Sequence, residues 1–360
     1  MDAAKILITG GSGYVGSHCV VELLENNFNI IVIDNLVNSI RLDGDPLPES
    51  LRRAQQITGK NIDKFYNGTT EDAELLDKIF IENSSIDVVM HLAALKSVGE
   101  SVQQPLRYYQ NNVGGSITLL KAMEKYNVKK FIFSSSATVY GEPQYLPLDE
   151  SHPIGIKCTN PYGRSKCMVE QILEDVCQAD SEWSIISLRY FNPVGAHQSG
   201  LIGEYPNDIP NNLMPYISQV AVKVRPCLNV FGDDYPTVDG TGVRDYIHID
   251  DLSNGHIVAL KHMLSSPKEW FGYNPINLGT GSGTTVLQLI ESFEKSTGIK
   301  IPYKIVDRRP GDLAILFANV NVAKERLGWK ARKTIDEMCS STWNWQSKNP
   351  NGFRNNKIAQ

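Results

Sequence analysis

A glycine-rich turn near the amino terminus constrains the fold of this chain more than any other stretch. The continuous apolar run 6–8 is typical of a strand buried on both faces, and Gly10, Gly13 and Gly16 follow it where helical periodicity begins. Gly10 permits a tight turn, Gly13 lets a pyrophosphate approach the backbone, and Gly16 lets the helix pack closely on the strand. The free N–H groups at the start of this helix would hold the phosphates. The stretch therefore predicts a dinucleotide-binding turn.

Strand and helix patterns alternate through the first half of the chain. A second apolar run, 30–33, ends in Asp34, where a carboxylate would accept hydrogen bonds from the adenosine ribose hydroxyls. Further strands are predicted at 62–66, 87–91, 131–133 and 185–188, and helices at 48–58, 102–126 and 161–177. This alternation predicts an α/β fold with a doubly wound, Rossmann-type parallel sheet and right-handed crossovers. Ligands of such sheets bind outside the carboxyl ends of the strands.

The composition changes after about Asn192, where Gly, Pro and Asn become frequent. We expect residues 1–190 to form the dinucleotide-binding domain, with a return of the chain to it at about 240–264. Residues 191–239 and 265–350 are expected to form a smaller mixed α/β lobe that binds the substrate. The division follows from the loop-rich character of the second half of the chain.

The bulk properties narrow the class of protein. The 360 residues are 41% hydrophobic and 21% charged, as in ordinary globular proteins, and the formal net charge of −5 gives no footprint for nucleic acid. Lys and Arg are scattered and no apolar stretch approaches the length of a membrane span, so we expect no membrane association. Six cysteines without CxxC spacing and an amino terminus without a secretory pattern predict free thiols and a cytoplasmic location. The seven histidines show no ligand spacing, so no metal is expected.

Three polar residues form a candidate catalytic group. Tyr162 and Lys166 are four apart on a predicted helix and share a face, and Ser136 lies at the carboxyl end of the strand before it. Half ionisation of a tyrosine near neutrality requires its pKa to fall by ~3 units, or about 4 kcal/mol, from its usual value. A neighbouring ammonium has the right sign of charge to lower the pKa of Tyr162. Beside a dinucleotide, the three residues would form a proton shuttle for hydride transfer at a carbinol carbon.

Several motifs, taken in order, resemble those of the extended short-chain dehydrogenase/reductases. They are TGGSGYVGSH at 9–18, SSSATVYG at 134–141, NPYGRSK at 160–166 and RYFNP at 189–193. The resemblance extends to the UDP-galactose (UDP-glucose) 4-epimerases of eukaryotic type within that family. It continues through PNNLMP at 210–215, LNVFG at 228–232, TGVRDY at 241–246 and RRPGD at 308–312. It therefore covers nearly the whole chain.

The resemblance implies an NAD-dependent epimerase that interconverts UDP-galactose and UDP-glucose in galactose metabolism. In that mechanism the Tyr162 phenolate takes the proton of the sugar 4-hydroxyl while hydride passes from C4 to NAD. The 4-keto sugar then rotates and accepts hydride on its other face, so NAD is bound tightly and not consumed. Lys166 would also hold the nicotinamide ribose, and Tyr190 would lie near the nicotinamide.

The resemblance also assigns binding residues by position. Those matching cofactor contacts are Gly10, Gly13, Tyr14, Val15, Gly16, Asp34, Asn35, Asn38, Gly68, Thr69, Leu92, Lys96, Tyr162, Lys166 and Tyr190. Those matching substrate contacts are Lys96, Ser136, Ala137, Thr138, Tyr162, Tyr190, Phe191, Asn192, Asn211, Asn212, Leu213, Asn229, Val230, Phe231, Arg244, Arg309, Asp312 and Leu316. Arginine suits the diphosphate because its planar fork matches phosphate oxygens.

Two positions depart from the family pattern. Gly68 stands where the family carries an aspartate that contacts adenine, so Asn67 or the backbone would have to serve. Leu316 stands where a tyrosine goes with rejection of N-acetylated sugars and a small residue with their acceptance. Leucine is intermediate in size, which leaves the use of UDP-GalNAc and UDP-GlcNAc open. The predicted helices 102–126 and 161–177 resemble the pair that forms a homodimer interface in relatives.

Two other functions remain as alternatives. A nucleotide-sugar dehydratase or decarboxylase has the same fold, but dehydratases need an acid/base pair where this chain has Ala137 and Thr138. A non-catalytic NAD-binding scaffold would not need the tyrosine and lysine, and both are present. Product formation by the wild type and by Tyr162→Phe distinguishes these possibilities.

Overall fold

A computed structural model describes residues 3–206, 209–210, 212–309 and 311–354. The strands of the first half are β1 (Lys5–Thr9), β2 (Asn29–Asp34), β3 (Lys64–Asn67), β4 (Val88–His91), β5 (Lys130–Ser136) and β6 (Ser184–Tyr190). Its helices are α1 (Tyr14–Glu25), α2 (Glu49–Thr58), α3 (Ala73–Glu82), α4 (Val98–Gln103), α5 (Pro105–Tyr108), α6 (Gly115–Lys125) and α7 (Pro161–Ala179). A π-helix, Tyr109–Gly114, joins α5 to α6, and a 3₁₀ turn, Ala137–Tyr140, follows β5.

The second half of the chain contains shorter strands. They are β7 (Asn192–Val194), β8 (Leu228–Phe231), β9 (Val243–Arg244), β10 (Tyr246–His248), β11 (Gly272–Leu278), β12 (Thr284–Thr285), β13 (Tyr303–Val306) and β14 (Ile315–Leu316). The helices are α8 (Leu213–Ala221), α9 (Ile249–Ser265), α10 (Val286–Thr297), α11 (Asn321–Leu327) and α12 (Ile335–Lys348), with 3₁₀ turns at Pro267–Trp270 and Gly352–Arg354.

The main sheet has seven parallel strands in the order β3-β2-β1-β4-β5-β6-β11. Side chains alternate across β1, so that Ile6 and Ile8 pack on one face with α1, α2 and α9, while Leu7 packs on the other with α3, α6 and α7. Both faces of the sheet are therefore covered by helices. The prediction of a doubly wound parallel sheet is confirmed, and the carboxyl ends of the strands meet at one edge.

The seventh strand corrects the predicted division of the chain. β11 pairs in parallel with β6 in the main sheet, although the sequence division placed the whole of 265–350 in the second lobe. Its sequence, GYNPINL, lacks the apolar run of a buried strand and contains Pro275. An edge strand tolerates proline because one side of its backbone needs no ladder hydrogen bond, which explains why this strand was missed.

The predicted helix 102–126 is a series of shorter segments. α4 ends at Gln103, where the chain turns before Pro105 starts α5. Proline has no N–H to donate and its ring clashes with the preceding turn, so a helix cannot run through this position undisturbed. The remaining stretch passes through the π-helix before α6 begins at Gly115.

α9, which lies in the segment predicted to return to the first domain, packs against α1. This helix shares one apolar cluster with α1, through Leu252 and Ile257 on α9 and Val20 and Leu24 on α1. The second lobe has its own core, built by α8, α10 and α12 around residues such as Phe293. Its strands form three small sheets, β7 with β10, β8 with β13, and β9 between β12 and β14. Among the described residues, none of the helices combines the length and apolar character of a membrane span.

Candidate active site

The glycine-rich turn has the geometry that its sequence predicts. Gly10 has φ +71°, a conformation that L side chains rarely adopt. A Cβ at Gly16 would lie only 2.1 Å from the carbonyl oxygen of Gly10, so only glycine lets α1 approach β1 this closely. Gly13 is the N-cap of α1 and no side chain caps the helix, which leaves the N–H groups of its first turn directed at the sheet edge. The turn is built to receive an anion.

Asp34 ends β2 beside this turn. One carboxylate oxygen accepts from the N–H of Ser12 at 3.0 Å, and the other accepts from the N–H of Leu36 at 2.8 Å. Burial raises the pKa of Asp34, and these donors oppose that shift. Each oxygen has a second lone pair, so the carboxylate can hold the turn and still accept from a ribose hydroxyl.

The side chain of Leu75 lies next to Gly68. A Cβ at this position would lie 2.1 Å from a terminal methyl carbon of Leu75 on α3. The N–H of Gly68 donates to the carbonyl of Asp34 at 3.0 Å, which keeps its backbone next to the end of β2. An aspartate here would require the flexible end of the Leu75 side chain to move, and glycine leaves only the backbone of residue 68 to meet an adenine.

The other cofactor candidates surround the same edge. The Tyr14 hydroxyl donates to the carbonyl of Gly195 at 2.7 Å, and the Leu92 N–H donates to the carbonyl of Thr9 at 3.0 Å. Val15 is partly buried, whereas Asn35 and Asn38 lie on the exposed loop after β2. Thr69 donates to Glu71 at 3.4 Å.

The ammonium group of Lys166 is fixed under the end of β5. Its Nζ donates to the carbonyl oxygen of Ser134 at 2.6 Å and lies 4.7 Å from the ring centre of Phe133. The side chain is buried, and burial lowers the pKa of Lys166 to about 7, while the charge of Glu170 opposes the shift. In its protonated form Lys166 places a positive charge at this site, and it is held on the strand that carries Ser136.

The hydroxyl of Ser136 lies in a short hydrogen-bonded group. It accepts from the Thr138 hydroxyl at 2.9 Å and from the Thr138 N–H at 3.2 Å. Asn160 caps α7 by accepting from the Gly163 N–H at 2.9 Å, which fixes the start of the helix that carries Tyr162. The structure thus brings the predicted group of Ser136, Tyr162 and Lys166 together at the carboxyl edge of the sheet.

The pKa of Tyr162 differs from the expectation. Burial raises the pKa of Tyr162 in the protein alone, and its hydrogen bond with Ser136 lowers it by less. The expected fall towards neutrality is therefore not a property of these side chains by themselves.

A residue that the sequence reasoning missed completes this face of α7. Glu170 follows Lys166 by one helical turn and accepts from the Ser135 hydroxyl and from the Arg189 guanidinium, the latter at 2.7 Å. Successive residues of β5 therefore contact three successive turns of α7, at Tyr162, Lys166 and Glu170. The spacing of four residues was the signal that could have found Glu170.

Tyr190 lies at the end of β6 opposite Ser136, but its hydroxyl has a partner elsewhere. It forms a hydrogen bond with Nε2 of His256, a buried residue of α9. Burial raises the pKa of Tyr190 and lowers that of His256 to about 4. The hydroxyl is therefore engaged with the helix layer, and the ring is what Tyr190 can offer to a ligand.

Two arginines of the second lobe share one carboxylate. Arg309 donates to Asp312 at 2.9 Å, Arg244 donates to the other oxygen of Asp312, and Arg309 also lies 4.8 Å from the ring centre of Phe231. Asp312 holds the two positive side chains close together, and about half of the Arg309 side chain is exposed. The predicted diphosphate residues thus form a cationic cluster that is held in place before any ligand arrives.

β8 presents its predicted residues on opposite faces. Asn229 and Phe231 are partly exposed, whereas Val230 is buried in the core of the second lobe. Val230 can therefore contact a ligand only through its backbone. Asn212 is the N-cap residue of α8 and Leu213 its first residue, while Asn211 falls outside the described residues.

The predicted sugar-size position lies among other predicted substrate residues. Leu316 shares a small apolar cluster with Ala137 and Phe191, which places all three near the end of β5. The Asn192 N–H donates to the backbone carbonyl of Asp245 at 2.9 Å. The buried Asp245 carboxylate accepts hydrogen bonds from the N–H groups at 280, 281 and 318, and these bonds join the loops around this site. Asp245 was not among the residues that the sequence predicted for the site.

The described residues contain no group of His, Cys, Asp and Glu side chains able to hold a metal ion. The site instead combines an anion-binding turn, a Ser-Tyr-Lys group and an arginine cluster around one sheet edge. This fold and site define an extended short-chain dehydrogenase/reductase that acts on a nucleotide-linked substrate.

Comparisons with known proteins place the chain within that class. Residues 7–342 match the family model described as GDP-mannose 4,6 dehydratase. The human UDP-glucose 4-epimerase is 55% identical over 351 residues, which cover 98% of this chain and 99% of the human protein. The chain belongs to the UDP-glucose 4-epimerase family.

Solved structures agree with this assignment. The UDP-glucose 4-epimerase from Bifidobacterium longum in complex with NAD+ and UDP superposes with a TM-score of 0.90 at 51% identity, over 97% of this chain and 100% of that one. The enzyme from Stenotrophomonas maltophila, with bound NAD and formylated UDP-arabinopyranose, gives a TM-score of 0.89 at 45% identity, over 96% of this chain and 99% of that one.

Proposed function

We propose that this chain interconverts UDP-galactose and UDP-glucose by epimerisation at the sugar C4, with a retained NAD. The observation that carries the proposal is the grouping of Ser136, Tyr162 and Lys166 beside the glycine-rich turn, in a chain 55% identical to a UDP-glucose 4-epimerase. The activity belongs to galactose metabolism.

The residues present fit NAD. The first turn of α1 offers uncapped N–H groups to a pyrophosphate, Gly13 adds no side chain there, and Asp34 faces the ribose position. The bound cofactor supplies hydride exchange with the sugar C4. Gly68 and Asn67 would hold the adenine through the backbone and one amide.

The chain supplies the proton chemistry. The Tyr162 oxygen would accept the proton of the sugar 4-hydroxyl and later return it, and Ser136 would donate a hydrogen bond to the same oxygen. For this the Tyr162 phenolate must be stabilised by positive charge, since burial alone raises its pKa. Lys166 is the buried cation one turn away, and a cationic nicotinamide ring would add to its field.

The second lobe would hold the uridine diphosphate. Arg244 and Arg309 present planar forks that match phosphate oxygens. Asp312 holds the two arginines together, and its single negative charge leaves the cluster with a net positive charge for a diphosphate. Asn212, Asn229 and the predicted contact Asn211 would supply amide groups to the same ligand. We also propose the division in which the segment up to residue 190, with α9 and β11, binds the cofactor and the remainder binds the nucleotide sugar.

We propose a homodimer and a cytoplasmic location. Val102 on α4, Leu106 on α5 and Met168 on α7 are exposed to 60%, 81% and 41%, and they belong to the two predicted interface segments. Exposed apolar groups on neighbouring helices favour association through that face. Sedimentation that shows only monomer at micromolar concentration would remove the dimer. The six free thiols favour a reducing compartment.

Conversion of UDP-galactose without added cofactor tests the proposal. Purified protein is mixed with UDP-galactose, with and without NAD, and UDP-glucose is followed by chromatography. Tyr162→Phe is expected to lower the rate by about 10²–10⁴. Tyr126→Phe, at the end of α6, is the matched control and should keep full activity. If conversion occurs only with added NAD, the proposed reaction stands, and only the proposal that NAD is tightly retained is contradicted.

The same experiment covers the other functions. The matching family model is described as a dehydratase, yet Ala137 and Thr138 offer no carboxyl for the extra proton transfers. A 4-keto-6-deoxy product would show that the protein is a dehydratase. If no product forms in any sample, the non-catalytic NAD-binding scaffold becomes the favoured function. UDP-GalNAc as a second substrate shows whether N-acetylated sugars are used.

A further inference from the structure

A carboxylate that precedes α8 of the second lobe forms an ion pair with a predicted ligand-contacting lysine. Oε1 of Glu204 lies 2.9 Å from Nζ of Lys96, which follows β4 on the main sheet. The same oxygen lies 3.4 Å from Nδ2 of Asn212. Glu204 therefore links Lys96, a predicted sugar and cofactor contact, to Asn212, a predicted diphosphate contact.

Glu204 is the fixed partner of this ion pair. Its side chain is 10% exposed, against 50% for Lys96. The indole N–H of Trp345 donates to the Glu204 carbonyl at 3.2 Å. Gly203 pairs with Ala196, and a Cβ at Gly203 would lie 2.5 Å from the Trp345 ring, so the chain before Glu204 is seated directly on α12. A lysine on a flexible stem is thus tied to a rigid anchor.

We propose that Glu204 is a positioning residue for the nucleotide sugar, which acts by holding the Lys96 ammonium in one place at the site. The inference rests on the proposed function, because it gives Lys96 a sugar to meet. An unanchored lysine would have to lose its rotamer freedom when the sugar binds, which weakens binding. A lysine that is already held by Glu204 has lost that freedom before the sugar binds, so binding carries a smaller entropy cost.

The sign of the effect separates positioning from simple electrostatics. A carboxylate near a diphosphate repels it, so removal of a merely neighbouring negative charge should tighten the binding of UDP and UDP-glucose alike. Removal of an anchor for Lys96 should instead weaken the binding of UDP-glucose and leave that of UDP almost unchanged, since UDP lacks the glucosyl group that Lys96 would contact. The two ligands therefore form a matched pair of probes.

Titration calorimetry on the purified protein tests this with four variants. Glu204→Gln keeps the size of the side chain and an oxygen for Asn212, and Lys96→Met keeps the apolar stem of the lysine. The double variant completes the cycle, and Asp77→Asn removes the carboxylate of an exposed ion pair between α3 and Lys125 at the end of α6. NAD content and thermal unfolding are recorded for each protein.

We expect Glu204→Gln to weaken UDP-glucose binding by roughly three- to tenfold and UDP binding by less than about twofold. Added to Lys96→Met, it should cause no further loss, because Glu204 acts through Lys96. Asp77→Asn should bind both ligands as the wild type does.

Three results would overturn the inference: tighter binding of both ligands, equal loss for UDP and UDP-glucose, or additive losses in the double variant. Each result is compared with the wild-type protein, which is expected to bind UDP-glucose and to convert UDP-galactose. If the wild type does neither, the proposed function fails and this inference fails with it.

Discussion

Glu170 on α7 and Arg189 on β6 form a buried ion pair on the face of the helix that carries Tyr162 and Lys166. Their closest atoms are 2.7 Å apart, and the two side chains are 0% and 3% exposed. The guanidinium also donates to the Tyr140 hydroxyl at 3.0 Å, so most of its donors have partners. The pair joins α7 to the sheet one turn after Lys166.

The first prediction concerns this pair. Glu170→Gln leaves the Arg189 charge buried without its counter-charge, so the free energy of unfolding should fall by about 3–5 kcal/mol. Ser135→Ala removes only one hydrogen bond to Glu170 and should cost about 1 kcal/mol. Urea unfolding followed by circular dichroism measures both. Asp77→Asn, in the exposed pair with Lys125, is the control and should change stability little.

A second readout shows whether Glu170 also acts on the site. Its charge favours the protonated form of Lys166, so Glu170→Gln should shift the pH profile of kcat as well as lower stability. Equal stability of Glu170→Gln and wild type would show that Arg189 finds another partner in the variant.

The buried strands of the main sheet could be predicted from local sequence because each of them contains a short apolar run. Ile6–Ile8 and 30–33 carry that signal, and Ser136, Tyr162 and Lys166 follow from strand ends and helical spacing. β11 could not be found in this way, because its position depends on pairing with β6 and its own residues include Pro275 and two asparagines.

Contacts between distant segments could not be read from the sequence either. Glu204 contacts Lys96, which is 108 positions away in the sequence, and the Tyr190 hydroxyl contacts His256, which is 66 positions away. Neither pair has a spacing that marks it, since tertiary packing alone brings the residues together. The raised pKa of Tyr162 has the same origin, because burial is a property of the folded chain.

The second prediction tests the arginine cluster. Arg244→Lys keeps the charge but loses the planar fork that donates to Asp312 and would donate to a diphosphate. UDP affinity should fall by roughly tenfold, or about 1.4 kcal/mol, as measured by titration calorimetry. Arg308→Lys is the control, because Arg308 pairs with Asp234 at the surface. Equal losses in the two variants would remove a specific role for Arg244.

The third prediction concerns pH and stability. Burial, with repulsion from Glu22 second, raises the pKa of Asp250 on α9 to about 7 from an ordinary value near 4. Between these values the folded protein binds a proton that the unfolded chain has lost, so this group's contribution to stability declines as pH rises through 7. Asp250→Asn should remove that decline and unfold at higher temperature than wild type at pH 8.

The advantage of Asp250→Asn should be roughly 1–3 kcal/mol at pH 8 and should vanish near pH 4. Thermal unfolding at both pH values measures it, and Asp43→Asn on an exposed loop controls for the loss of one negative charge. A variant that is less stable than wild type at pH 8 would show that the Asp250 carboxylate contributes contacts worth more than its burial costs.

The last prediction concerns sugar size. Leu316 is 8% exposed and packs in one cluster with Ala137 and Phe191, so a larger side chain there must take space next to the predicted sugar position. Leu316→Tyr should lower kcat/KM for UDP-GalNAc by about tenfold or more relative to UDP-galactose, and Leu316→Ala should move the ratio the other way. Overpacking itself costs ~1–3 kcal/mol, so thermal unfolding must show that both variants are folded. An unchanged ratio in folded variants would place the size limit at another residue.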